Sequence, residues 1–150
     1  MPIDKATDKK EGRRKAIERS ATFGLILVAV GLLAPFADLD SAANLRFFKW
    51  VYGAGALVFT IARVVGSTDN AESMRLRRLR RLEFWAGVAF CIGTFFWFYN
   101  ENRFEFYLNL GMGQLACLSD TVYFTLAGAA IQIIAAVMLS RQGRKIKNGK

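Results

Sequence analysis

Gln132 is an amide inside the apolar run TVYFTLAGAAIQIIAAVML, residues 121–139. An amide in apolar surroundings must bond to something. It is therefore either held by a neighbouring helix or offered to a polar substrate. Four weakly polar groups sit in comparable settings: Thr125 in the same run, Cys91 and Thr94 in EFWAGVAFCIGTFFWFY (83–99), and Thr60 in the run 47–66. Depth counting puts Gln132 level with Cys91, with Thr94 about one turn further out and Thr60 about one turn further in. Gln132 is then expected to bond across to the second or third of these runs. Together the five form an interhelical polar core or a set of substrate contacts.

A second group is ionic. Arg63 ends one apolar run, and Glu18 and Glu83 begin two others. Carboxylates near helix N-termini are favoured by the helix dipole. An Arg63 ion pair with Glu83, Glu18 or both is expected, and snorkelling of Arg63 to the surface is the alternative. A third group is MRLRRLRRLEFW, residues 74–85. Leu76, Leu79 and Leu82 recur every three residues, and Arg75, Arg77, Arg78, Arg80 and Arg81 fill the gaps. That spacing describes a basic amphipathic segment over 71–82, with Asp69 and Glu72 positioned to cap it. Its leucines suit an acyl boundary, and its arginines suit anionic lipid headgroups at roughly 1 kcal/mol each. Aromatic stacking residues among the arginines are lacking, so nucleic acid is not an expected partner.

Much chemistry is excluded. The chain contains no His, which removes the commonest general base and metal ligand. Cys91 and Cys117 form no C-x-x-C pair, and no phosphate-binding P-loop or G-x-S-x-G elbow occurs. GMGQ at 111–114 is too short to be a nucleotide motif. No carboxylate falls at mid-span, where a proton-coupled exporter usually needs one. No catalytic residue, metal or cofactor is expected, and the chain is expected not to be an enzyme.

The elements that must position these groups follow from hydropathy. The chain has 150 residues, 53% of them hydrophobic, yet carries a formal charge of +9. Apolar and charged stretches are segregated. Four spans stand out at about 17–36, 47–66, 83–99 and 121–139. At ~1.5 Å per residue they approach a ~30 Å hydrocarbon core. No span has the broad charged face of a soluble bundle helix. The first lacks a signal-peptide cleavage site and is expected to be retained. The fold class expected is an all-α membrane protein, an antiparallel four-transmembrane-helix bundle in one domain.

Charge sets the orientation. Eighteen of the 21 Lys and Arg residues lie in the N-terminal segment, the connection between spans two and three, the C-terminal tail, and the span ends beside them (Arg19 and Arg63). The positive-inside rule puts both termini in the cytoplasm. Trp50, Tyr52, Trp97, Tyr99 and Tyr123 would then form the outer aromatic belt, with Phe84 and Trp85 at the inner interface. Residues 100–120 become an outer loop that holds Cys117. Within it, Phe104, Phe106, Leu108 and Leu110 alternate with polar neighbours, as in a short strand or a strip on the interface.

Each span also carries a stripe of small or weakly polar residues at helical spacing. They are Glu18, Ala21, Gly24, Val28 and Gly31; Gly53, Ala56, Thr60 and Arg63; Glu83, Gly87, Cys91, Thr94 and Phe98; and Thr121, Thr125, Gly128, Gln132 and Ala135. Such stripes let membrane helices approach closely, and the four are expected to converge on one axis. VYGAGAL and VYFTLAGAA, with a basic run before a Glu in spans one and three, also allow a two-plus-two repeat.

With RRLRRLEFW entering span three and FTLAGAAIQI in span four, the chain resembles small four-span membrane proteins of Bacteroidota. The resemblance implies the same four-helix fold and a multi-pass place in the bacterial inner membrane. It carries over no activity and no catalytic residue. The sequence therefore points to a non-enzymatic membrane protein acting by association, as an accessory or scaffold subunit or a homo-oligomer. The alternative is a small oligomeric transporter or lipid-linked substrate flippase. Membrane lipids and a membrane-protein partner or second copy are the partners expected.

Overall fold

A computed structural model describes residues 2–37, 42–67, 74–103, 106, 109, 111 and 113–149. The chain forms four long helices: α1 (Pro2–Ala37), α2 (Ala42–Gly66), α3 (Met74–Glu101) and α4 (Gly113–Asn148). All four are long and apolar enough to cross a membrane, and the architecture is all-α and multi-pass. At ~1.5 Å per residue, α1 and α4 would each extend ~54 Å. Both therefore outrun their apolar stretches and carry helical basic extensions at one end.

Neighbouring helices are antiparallel. Gly31 lies against the Tyr52 backbone and Gly66 against Ile17 in the α1–α2 hairpin. Thr121 donates to the Gly93 carbonyl (3.1 Å) and Asn100 to the Cys117 carbonyl (3.3 Å) in the α3–α4 hairpin. The chain termini and the α2–α3 connection thus share one end of the bundle, and with them the basic segments. The seams run α1–α2, α2–α3 and α3–α4, the two hairpin seams being more extensive than the one that joins them. No other pair of helices packs comparably among the described residues. The four stripes therefore meet in two tight hairpins joined along α2–α3 rather than on a single axis.

Close approach depends on the small residues. A Cβ on Gly24 would lie 2.7 Å from the Phe59 backbone nitrogen, and one on Gly55 the same distance from the Gly24 carbonyl oxygen. Only glycine admits that separation, and it brings the α1 and α2 backbones into direct contact. The freed space is filled from α2 and α3. Phe59 and Phe90 meet edge to face with centroids 5.6 Å apart, and Tyr52 and Trp97 pack at 5.6 Å. Such pairs add stability beyond their buried area.

Tyr52 and Trp97 are therefore core residues, at 0% and 1% exposure, and not members of an interfacial belt. Trp50, Tyr99, Tyr123 and Trp85 do face outward. Tyr52 is inside because Gly31 and Gly93 leave room for it: a Cβ on Gly93 would come 2.8 Å from its hydroxyl. Only 17–33% of each span is buried within the chain. Most of the apolar surface points outward.

One boundary agrees with expectation and one differs. The basic segment is helical from Met74 onward and runs without a break into the third span. α4 begins at Gly113 and takes most of the second half of the expected outer loop. Cys117 is consequently helical and buried. Of the alternating strip, Phe106 and Asn109 are helical, and no strand occurs among the described residues. Phe104, Leu108 and Leu110, and the capping pair Asp69 and Glu72, lie outside the described residues.

Candidate functional site

Polar groups gather at three levels. The innermost is built by the C-terminal turn of α2 and the N-terminal half of α3. Arg63 Nη1 lies 3.3 Å from Glu83 Oε2, with both side chains largely buried. The Arg63 guanidinium also stands 5.3 Å from the Phe59 ring centroid, a favourable cation–π separation. Glu18, on α1, is within electrostatic reach of Glu83 but is itself exposed. Arg63 reaches Glu83 because α2 and α3 pack directly, whereas Glu18 sits at the rim.

Gln132 joins this level. Its amide reaches the Glu83 carboxylate. The expected level with Cys91 is corrected by about two turns. α4 starts before Thr121, and Gly128 packs against Phe90 and the Ala86 carbonyl. Four residues further along, Gln132 arrives at Glu83. Two buried atoms here have no hydrogen-bond partner among the described residues: Arg63 Nε and Gln132 Oε1.

The middle level is self-satisfied. Tyr52 and Thr125 hydroxyls are 2.6 Å apart, and Thr125 donates to the Thr121 carbonyl at 2.6 Å. Thr60 donates to the Ala56 carbonyl (2.7 Å) and touches Cys91 Sγ at 3.5 Å. Thr94 donates to its own Phe90 carbonyl at 3.0 Å. The five residues do not form one cluster. Thr125 is central, whereas Cys91 and Thr94 border an outward groove of about 290 Å³ between α2 and α3, beside Trp50, Gly53 and Phe98.

The outer level carries pairs that the spacing did not reveal. Lys49 forms a short ion pair with Glu101, and Arg46 Nε lies 3.5 Å from the same carboxylate. Lys49 Nζ also stands 4.8 Å from the Phe98 centroid. Lys49 thus pairs inward, with its side chain largely buried. Asn100, buried, donates to Asp120 (3.0 Å) as well as to the Cys117 carbonyl. Cys117 Sγ is 3.7 Å from the Asn100 carbonyl. The available signal was that Asn100, Glu101 and Asp120 flank apolar runs on both sides of one turn.

The five arginines divide. Arg75, Arg77, Arg78 and Arg81 are exposed. Arg80 turns inward and donates through Nη1 to the Gly66 carbonyl at the end of α2. Leu79 is buried, so the leucine row packs partly on the protein. Arg80 and Arg63 also line a cavity of about 100 Å³, together with Lys10, Arg13, Arg14 and Glu18. No group of three His, Cys, Asp or Glu residues among those described could hold a metal.

Comparison with known proteins returns no family, no curated protein and no solved structure that matches the chain.

Proposed function

We propose that the protein is a small integral membrane protein that acts by association, as an accessory subunit, scaffold or homo-oligomer. The supporting observation is the fate of its polar core. The mid-level groups that could have lined a path are spent within the protein: Tyr52 with Thr125 and Thr121 with the Gly93 carbonyl across helices, and Thr60 with the Ala56 carbonyl of its own helix. The first two bonds tie helices together. Meanwhile most of the apolar surface of each span lies outside the bundle, open to lipid or to other membrane helices.

The charge distribution supports an inner-membrane address with both termini in the cytoplasm, since the basic segments share one end of the bundle. There the exposed Arg75, Arg77, Arg78 and Arg81 meet anionic headgroups. The reading as a transporter or flippase has less support, because Thr60 and Thr125 are committed to packing and Thr94 to its own helix. Native mass spectrometry tests the proposal on protein extracted gently at its natural expression level. A stoichiometric second protein or a defined homo-oligomer is the expected result. A monomer without a protein partner overturns it.

A further inference from the structure

The cavity at the basic end of the bundle has a composition that packing does not require. Five cationic side chains line about 100 Å³: Lys10, Arg13 and Arg14 from α1, Arg63 from α2 and Arg80 from α3, with Glu18 the one carboxylate among its lining residues. Glu83 stands behind Arg63 and neutralises part of that charge. Like charges gathered from three helices repel one another, and more strongly where protein displaces water. Their assembly makes sense with an anion between them.

Two details specify the site further. Arg80 is fixed by its bond to the Gly66 carbonyl, so that guanidinium is held in the cavity wall. Arg63, fixed by Glu83, keeps a buried Nε–H with no acceptor among the described residues. A buried donor left unpaired is costly. That atom is itself closed off from solvent, while Arg63 borders the cavity. At ~30 Å³ per water in the liquid, the space suits one tetrahedral oxyanion with a few waters.

We propose that this cavity binds a phosphate group. Guanidinium forks match phosphate oxygens in pairs, and a phosphate offers more acceptor atoms than a carboxylate to arginines converging from several helices. The depth agrees: α2 ends its apolar run at Gly66, where lipid phosphates would lie. Ile17, Ala62 and Val65 give the same cavity an apolar side, which suits the glycerol and first methylenes of a phospholipid. A soluble phosphorylated compound would use the same cations without that side. The site differs from the exposed arginine face of α3, and it would exist in a monomer as well as in an assembly.

The test uses the full chain in detergent, with native mass spectrometry as the readout. Three probes are compared: phosphatidylglycerol, diacylglycerol of the same chains, and inorganic phosphate. Lys10 and Arg13 are exposed, so the Lys10→Gln/Arg13→Gln pair should fold, with circular dichroism as the check. An Arg75→Gln/Arg78→Gln pair removes equal charge elsewhere. The expected result is one saturable phosphatidylglycerol per chain, no retained diacylglycerol, about a tenfold weakening in the cavity pair, and less than about twofold in the control pair. If inorganic phosphate displaces the lipid, the phosphate group alone is recognised and a soluble source is assigned. If it does not, the lipid is the source. Equal weakening by both pairs, equal retention of diacylglycerol, or no saturable binding of either phosphate probe overturns the proposal.

Discussion

At the outer end of the bundle, Asn100 gives its amide to Asp120 and to the Cys117 carbonyl, while Glu101 receives both Lys49 and Arg46. At the opposite end, Arg63 faces Glu83 and Gln132 reaches the same carboxylate, yet Arg63 Nε and Gln132 Oε1 find no partner among the described residues. Both ends hold charge near the limit of the apolar runs. The outer cluster closes on itself and behaves as a clasp between hairpins. The inner cluster is incomplete and opens beside a basic cavity. A polar network that is fully paired needs no ligand, whereas one with buried orphan atoms is either strained or made for something absent.

The largest effect should come from breaking the inner pair. Glu83→Ala leaves the Arg63 guanidinium largely buried without its carboxylate. Removing one partner of a buried pair costs about 3–5 kcal/mol. A steep fall in melting temperature is expected in detergent, followed by tryptophan fluorescence. Arg63→Met combined with Glu83→Leu should recover most of the loss, since no charge is then stranded. A mild effect of Glu83→Ala would mean that water reaches Arg63, and the contrast between the ends would disappear.

The outer clasp should be more forgiving. Glu101→Ala strands Lys49, but the Lys49 stem is long enough to extend to the surface, and its ammonium keeps the Phe98 ring nearby. A loss of about 1–2 kcal/mol is expected, below that of Glu83→Ala in the same melt. Equal losses would mean that both ends are equally desolvated.

Much of the scaffold was legible because helical spacing is a strong signal. The stripes Ala21–Gly24–Val28–Gly31 and Thr121–Thr125–Gly128–Ala135 all turn inward, and small residues at such spacing have few other uses in a membrane helix. The Arg63 and Glu83 positions followed from two span ends at one depth. What was not legible is register. The first turns of α4, from Gly113, are cut off from the main apolar run by Ser119 and Asp120, so the fourth helix was placed too late and Gln132 too close to Cys91. Glu101 and Lys49 are far apart in sequence, and nothing local tells Lys49 to bend inward. Tyr52 and Trp97 have the composition of interface anchors. Only Gly31 and Gly93, on other helices, make Tyr52 a core residue, and Trp97 packs against Tyr52 in turn.

Tyr52 supplies a reference midway between the ends. Tyr52→Phe removes its bond to Thr125 while Thr125 keeps the Thr121 carbonyl. No orphan is created, and the phenyl ring still fills the space left by Gly31 and Gly93. The expected loss is about 0.6–1.7 kcal/mol, the range for hydrogen bonds between membrane helices. A larger fall would show that the hydroxyl orders α4 as well as bonding to it.

The smallest effect is expected at Gln132, the amide of the inner cluster. Gln132→Leu gives up the amide contact with Glu83, which costs stability, but it also removes the buried Oε1 that has no donor among the described residues. Those terms have opposite signs and similar size, about 1 kcal/mol each. The melt should therefore move little in detergent without added lipid. The same variant sharpens the contrast between the ends when it is measured in its native membrane. If Gln132 is only half of an internal bond, its replacement stays neutral there too. If Oε1 receives a donor from a bound partner helix or a ligand, the substitution becomes costly only in the presence of that partner. The difference between the two environments then reports how much of the inner cluster is completed from outside the chain.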